Sequence, residues 1–158
     1  LAAGAERRLT LILGPAGFGK STLVALWLEE DSRPAAWLSL DELDNDLTIF
    51  VTYLISAVRE TSPDFGRQTE AFLVSGVVAK PNRLADFMLA DLAALSGPLH
   101  LVIDDYHVIS ALDIHAFLGR VIEHLPAGVR LTLISRFDPP LPLARLRVRR
   151  QMTEIRGV

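Results

Sequence analysis

The chain has 158 residues, 50% of them hydrophobic and 22% charged, with 16 basic against 19 acidic side chains. That length suits one domain with a full core, and a net charge of -3 argues against a globally basic nucleic-acid binder or a polybasic membrane-surface protein. With no cysteine, disulfide frameworks, cysteine zinc sites and thiol catalysis drop out together.

Short apolar runs alternate with helical patterns along the whole chain, which predicts an α/β domain with a parallel sheet of about five strands covered on both faces. Residues 9–13, Leu-Thr-Leu-Ile-Leu, meet Gly14 and read as a central strand running into a tight loop. A helix follows over 21–30, with Leu23, Val24, Trp27 and Leu28 facing inward. Pro34 precedes a second strand over 35–40, and the acidic run 41–46 reads as a loop. Phe50, Val51, Leu54, Ile55 and Val58 recur at helical spacing over 47–59. Pro63, Gly66 and Pro81 punctuate the next stretch, with a short helix expected over 69–74. Asn82 is placed to cap a helix over 82–95, stopped by Gly97-Pro98. A strand over 99–103 is followed by a helix over 111–125 that Ser110 could cap. A strand over 129–135, a proline-rich turn, a short helix over 143–149 and a last strand over 152–156 complete the order.

Gly14-Pro15-Ala16-Gly17-Phe18-Gly19-Lys20-Ser21 fits the pattern GxxxxGK[ST] between an apolar strand and a helix, the context a phosphate-binding loop requires. Glycines let the backbone wrap closely, so successive N–H groups point at phosphate oxygens from the positive end of the helix. Lys20 can reach the β- and γ-phosphates, Ser21 can ligate Mg²⁺, and Thr22 can meet the α-phosphate. A second constellation is Leu101-Val102-Ile103-Asp104-Asp105, an apolar strand ending in two carboxylates. Ligands of open α/β sheets bind outside the carboxyl ends of the strands. Asp104 is therefore placed to hold the Mg²⁺ shell and Asp105 to polarise an attacking water. A third strand end carries Ser135-Arg136, whose guanidinium could sense the γ-phosphate.

From Arg130 onward seven arginines face only Asp138 and Glu154, whereas from Glu29 to Asp46 seven acids face Arg33 alone. The basic tail reads as a solvated face, a lid over phosphates, a nucleic-acid contact or an ion-paired contact with another domain, and the polarity suits head-to-tail self-association. His107 could line the site, with a structural role as its simpler reading, and Trp27 and Trp37 read as core. The four histidines show no metal-ligand spacing, and no apolar run approaches the roughly 18 residues of a membrane span. Arg7 and Arg8 interrupt any signal-peptide pattern, so a cytoplasmic domain is expected. A start at Leu1 and a mean hydropathy of +0.31 suggest a piece of something larger.

The run from Arg8 to Leu23 resembles the nucleotide-binding domain of the large ATP-binding, LuxR-type (MalT-like) transcription regulators. So do Ala36-Trp37-Leu38-Ser39-Leu40-Asp41-Glu42, Leu101 to His107, and Ser135-Arg136 followed by Asp138-Pro139-Pro140-Leu141-Pro142-Leu143-Ala144-Arg145. The family belongs to the signal-transduction ATPases with numerous domains. The resemblance implies a three-layer P-loop NTPase sandwich over 1–158, with the strands of the phosphate and acidic motifs adjacent. It implies an ATP/ADP switch with Mg²⁺, in which ATP with inducer drives self-association and slow hydrolysis resets it. Gly14 to Thr22 would take the phosphate role, Asp104 and Asp105 the Mg²⁺ and water roles, and Arg136 the sensor role. DNA and inducer would be met only by domains outside this chain. A P-loop small-molecule kinase and a non-catalytic nucleotide-dependent scaffold remain as alternatives.

Overall fold

The computed structural model describes residues 7–78 and 80–157, so the expected domain limits at Leu1 and Val158 lie outside the described residues. The strands are β1 (Leu9–Leu13), β2 (Ala35–Ser39), β3 (Leu99–Asp104), β4 (Val129–Ser135) and β5 (Met152–Arg156). The helices are α1 (Lys20–Glu30), α2 (Leu47–Arg59), α3 (Arg67–Val74), α4 (Pro81–Ala93), α5 (Leu112–Glu123) and α6 (Ala144–Val148). All five strands run parallel in the order β2-β3-β4-β1-β5.

The period-2 alternation of a strand divides the apolar side chains between two faces. Leu9, Leu11 and Leu13 of β1, Leu99, Leu101 and Ile103 of β3, and Leu131 and Leu133 of β4 join the large core. Against them pack Phe50, Leu54 and Val58 of α2, Leu84 and Met88 of α4, and Phe117 and Val121 of α5. Ile12, Val102 and Ile134 point the other way and meet Val24 of α1 in a separate, smaller cluster. The expected cover on both faces is therefore uneven. Val24 is the one buried residue of α1, and Leu23, expected inward, is 40% exposed. Trp27 and Trp37, expected in the core, are only half-buried on this thin side, where the Trp37 indole N–H donates to Ser39 Oγ.

The two helix caps expected from the sequence, Asn82 and Ser110, are not the ones found. Pro81, not Asn82, opens α4, because a proline at the first helical position lacks only an N–H that would be unpaired there anyway. Helix α5 starts after Ala111 with no side-chain cap of its own. Asn45, from a distant loop, instead anchors the two residues ahead of the helix: its Oδ1 accepts from the N–H groups of Ser110 and Ala111, and its Nδ2 donates to Ser110 Oγ. The acidic stretch expected as a plain loop contains a short 3-10 turn, Glu42–Asp44, closed by reciprocal bonds between Asp41 and Asp44. Among the described residues no helix is long and apolar enough to cross a membrane.

Candidate functional site

The expected adjacency of the phosphate and acidic strands is not what the sheet shows: β4 lies between β1 and β3. Leu13 pairs with Ser135, and Ser39 pairs with Asp104 across the β2–β3 edge. The carboxyl ends of β1, β4 and β3 thus stand side by side, each delivering one of the sequence motifs. The intervening strand separates two groups of like purpose and brings its own terminal Arg136 between them.

Gly14 continues β1, its N–H donating to the Ser135 carbonyl. The loop then turns through Gly17 at φ 85° and Gly19 at φ 69°, left-handed values that side chains rarely adopt. Gly19 caps α1 without any side-chain acceptor, which leaves the N–H groups of the first turn facing the cleft. The Lys20 ammonium lies back along the loop, donating to the carbonyls of Gly14 (2.6 Å) and Pro15 (2.8 Å). Ser21 Oγ donates to Asp104 Oδ2 at 2.7 Å, joining residues 83 positions apart. Asp104 itself is 6% exposed, and its other oxygen accepts from the Asp105 N–H. Asp105 is exposed and left-handed at φ 58°.

Ala16, Gly17, Gly19, Lys20, Ser21, Thr22, Asp104, Asp105 and Arg136 line one cleft of about 220 Å³. Of the expected loop residues, Gly14, Pro15 and Phe18 are absent from that lining. The Phe18 ring lies instead over the backbone of Gly157, so closely that a Cβ there would come within 2.9 Å of it. The cleft is smaller than the roughly 300–1,000 Å³ of a drug-sized site. It has room for a group the size of a phosphate chain, and anything larger would extend beyond it. A larger hollow of about 580 Å³ lies between the ends of α2, α3 and α4, away from these strand ends. Asp91 in its wall already accepts from the Thr69 N–H and hydroxyl, so it offers no free acidic chemistry.

His107 belongs to the site more closely than its sequence context implied. Its Nδ1 accepts from the Arg136 N–H at 3.3 Å, tying the turn after β3 to the end of β4. Burial and then the Arg136 charge push its imidazole below the ordinary histidine value, with Asp105 partly opposing them. A neutral ring keeps the acceptor lone pair that this bond needs. Its position two residues beyond Asp105 was the available signal. The sequence did not show that β4 ends beside it.

The donor set can be tested against a divalent cation. Among the described residues no three His, Cys, Asp or Glu side chains converge as a metal cage. A hydroxyl and a carboxylate oxygen do meet at the cleft. That pair suits a small hard cation that keeps several waters and takes its remaining ligands from phosphates.

No protein-family model matches the chain. It is 40% identical over 155 residues to the HTH-type transcriptional regulator MalT of Yersinia pestis (strain Pestoides F), which spans 98% of this chain and 17% of that protein. MalT of Yersinia enterocolitica serotype O:8 is likewise 40% identical over 151 residues, 96% of this chain and 17% of the relative. The chain therefore spans under a fifth of the curated relatives it matches. Among solved structures it resembles Cdc6p from Pyrobaculum aerophilum, with a TM-score of 0.54 at 19% identity over 93% of this chain and 38% of the other. A Drosophila ORC chain, from a structure bound to DNA, gives 0.54 at 15% identity over 98% and 83%. At such identities these likenesses bear on the fold alone, which is that of a P-loop NTPase.

Proposed function

From its likeness to a segment of the MalT regulators, we propose that the chain is the ATP-binding switch domain of a larger transcription regulator, a single P-loop domain over 1–158. Gly14 to Thr22 embrace the phosphates, with Lys20 leaving its loop carbonyls to meet the β- and γ-oxygens. Ser21 and Asp104 hold Mg²⁺, which when bound neutralises the charge of the phosphate chain. Asp105 orients the attacking water, and Arg136 faces the γ-phosphate. Hydrolysis is slow and resets the switch, and ATP favours self-association. DNA and inducer are met by parts of the larger protein outside this chain.

The observation that supports this reading best is the 2.7 Å bond between Ser21 and Asp104 in a cleft that also contains Lys20, Asp105 and Arg136. Three separate strand ends converge there on the chemistry of a phosphate chain. A small-molecule kinase would need an acceptor pocket beside the γ-phosphate. The larger hollow lies instead toward the amino end of β3, where Ala94–Ser96 leads into it.

The test is the mass of the full-length protein by light scattering in Mg²⁺-ATP and in Mg²⁺-ADP, with candidate inducers in both. A larger particle in ATP alone is expected. Equal masses would leave ATP as a substrate or structural ligand and end the switch reading.

A further inference from the structure

The two edges of the sheet carry surface patches of opposite charge, an apolar group of several exposed side chains at one and a single exposed valine at the other. At the β2 edge Leu43 is 82% and Leu112 81% exposed, and Ile49 and Tyr53 are exposed one turn apart on α2. The bonds of Asn45 to Ser110 and Ala111 join the turn that carries Leu43 to the start of α5 that carries Leu112. No lysine or arginine occurs from Leu40 to Leu54. Glu42 and Asp113 are exposed there without an ion-pair partner among the described residues.

At the opposite edge, α6 and the turn into β5 place Val148, 84% exposed, among arginines. Arg147 is bound to Glu154, and Arg145 approaches Glu123 at 3.7 Å. Arg149 and Arg150 are exposed and have no acidic partner among the described residues.

Exposed apolar side chains rimmed by charge are the anatomy of a protein-binding surface. Nucleic acid would match the arginines but would leave Val148 without a complement. The chain's own other edge supplies both complements, an apolar centre and acids around it. Within one molecule the two patches cannot meet, because β3, β4 and β1 stand between β2 and β5. We propose that the Val148–Arg150 patch of one copy docks on the Leu43–Leu112 patch of the next, so that copies associate head to tail through opposite edges of the sheet. Such a contact is heterologous, and each copy keeps one free edge for the next. The acidic patch also begins only seven residues beyond Asp105, since the turn Tyr106–Val108 and the Asn45-bound Ser110 and Ala111 lead directly to Leu112. The inference rests on the self-association in the proposed function and names the surfaces that carry it.

The experiment uses two charge-reversed forms of the full-length protein, Glu42→Arg/Asp113→Arg and Arg149→Glu/Arg150→Glu. None of the four side chains has an ion-pair partner to lose, and matching circular dichroism melts confirm that both variants fold. Sedimentation velocity in Mg²⁺-ATP, with the same candidate inducers present and up to about 100 µM protein, reports association at even modest affinity. Each variant alone should self-associate at least about tenfold more weakly than the parent, since like charges then face each other. An equimolar mixture should regain association to within about threefold, because every junction again joins opposite charges. Variants that assemble like the parent, or a mixture that stays dissociated, overturn these surfaces and leave an ATP-dependent switch standing. Assembly that is equal in Mg²⁺-ATP and Mg²⁺-ADP yet broken by both variants keeps the surfaces and removes the switch. A parent that stays monomeric with either nucleotide overturns both.

Discussion

Asp105 holds a left-handed backbone at φ 58°, a conformation that asparagine and aspartate tolerate and β-branched residues resist. Asp105→Asn therefore removes the charge and keeps the turn. The expected outcome is ATP binding within about threefold of the parent, with phosphate release reduced by two orders of magnitude or more, roughly the scale of losing a positioned base. Unchanged turnover, measured by phosphate release, would remove Asp105 from its role. The proposed function rests equally on the charge of Lys20. Its Nζ rests on the Gly14 and Pro15 carbonyls, so Lys20→Ala deletes a pre-positioned cation. Equilibrium titration should show nucleotide affinity lowered by roughly a hundredfold, the loss of charge-assisted bonds to phosphate. The place of both residues at the cleft was legible in the sequence, Lys20 from the loop motif between strand and helix and Asp105 from the apolar strand that ends just before it. His107 was less so, since its partner Arg136 arrives from a strand 29 positions away.

Helices α3 and α5 share a dependence on side chains from elsewhere. The Asp91 carboxylate, on buried ground in α4, accepts from the Gln68 and Thr69 N–H groups and the Thr69 hydroxyl at the start of α3. Asp91→Ala strands those donors in the interior, and a loss of about 2–3 kcal/mol is expected in urea unfolding. Asn45 holds the chain just ahead of α5 rather than its first turn, and at a more exposed position. Asn45→Ala should cost about 1–2 kcal/mol by the same measurement, whereas Ser110→Ala should cost less than half of that. A Ser110 loss equal to that of Asn45 would assign the effect to the bond between the Asn45 amide and the Ser110 hydroxyl. Element interiors were read well from periodicity, with the bounds of β1, α2, β4 and β5 as expected. The starts of α4 and α5 were not. Pro81 could be weighed against Asn82 from local rules alone, but an anchor supplied from 65 positions away has no local signature.

At the scale of the whole molecule, histidines held below their ordinary value, His107 of the cleft among them, make the fold sensitive to acid. Burial pushes His100 below its ordinary value of 6.5, with Asp31 partly opposing. Burial does the same to His115, whose Nδ1 meets the Tyr106 hydroxyl. The native state then binds fewer protons than the unfolded chain once the pH falls below 6.5. Their contribution to stability is complete above that value and is lost as the pH falls through the lowered native values. Asp31 and Asp138, held below 3.8, add their own loss only at lower pH. The thermal midpoint should therefore drop between about pH 7 and 5, before the carboxylates titrate, and a flat midpoint across that range would contradict the neutral assignment. Sheet composition was readable in the alternation of runs, but strand order was not, because the placement of β4 between β1 and β3 is decided by packing across the whole core. That packing is lopsided. One face of the sheet lies under α2, α4 and α5, the other under a helix with Val24 alone fully buried. Local opening costs least where the fewest apolar side chains leave their neighbours. Backbone amides of α1 should therefore exchange with deuterium sooner than those of α2 or α5, and the loop from Gly14 to Gly19 is joined to the part of the molecule expected to open most readily.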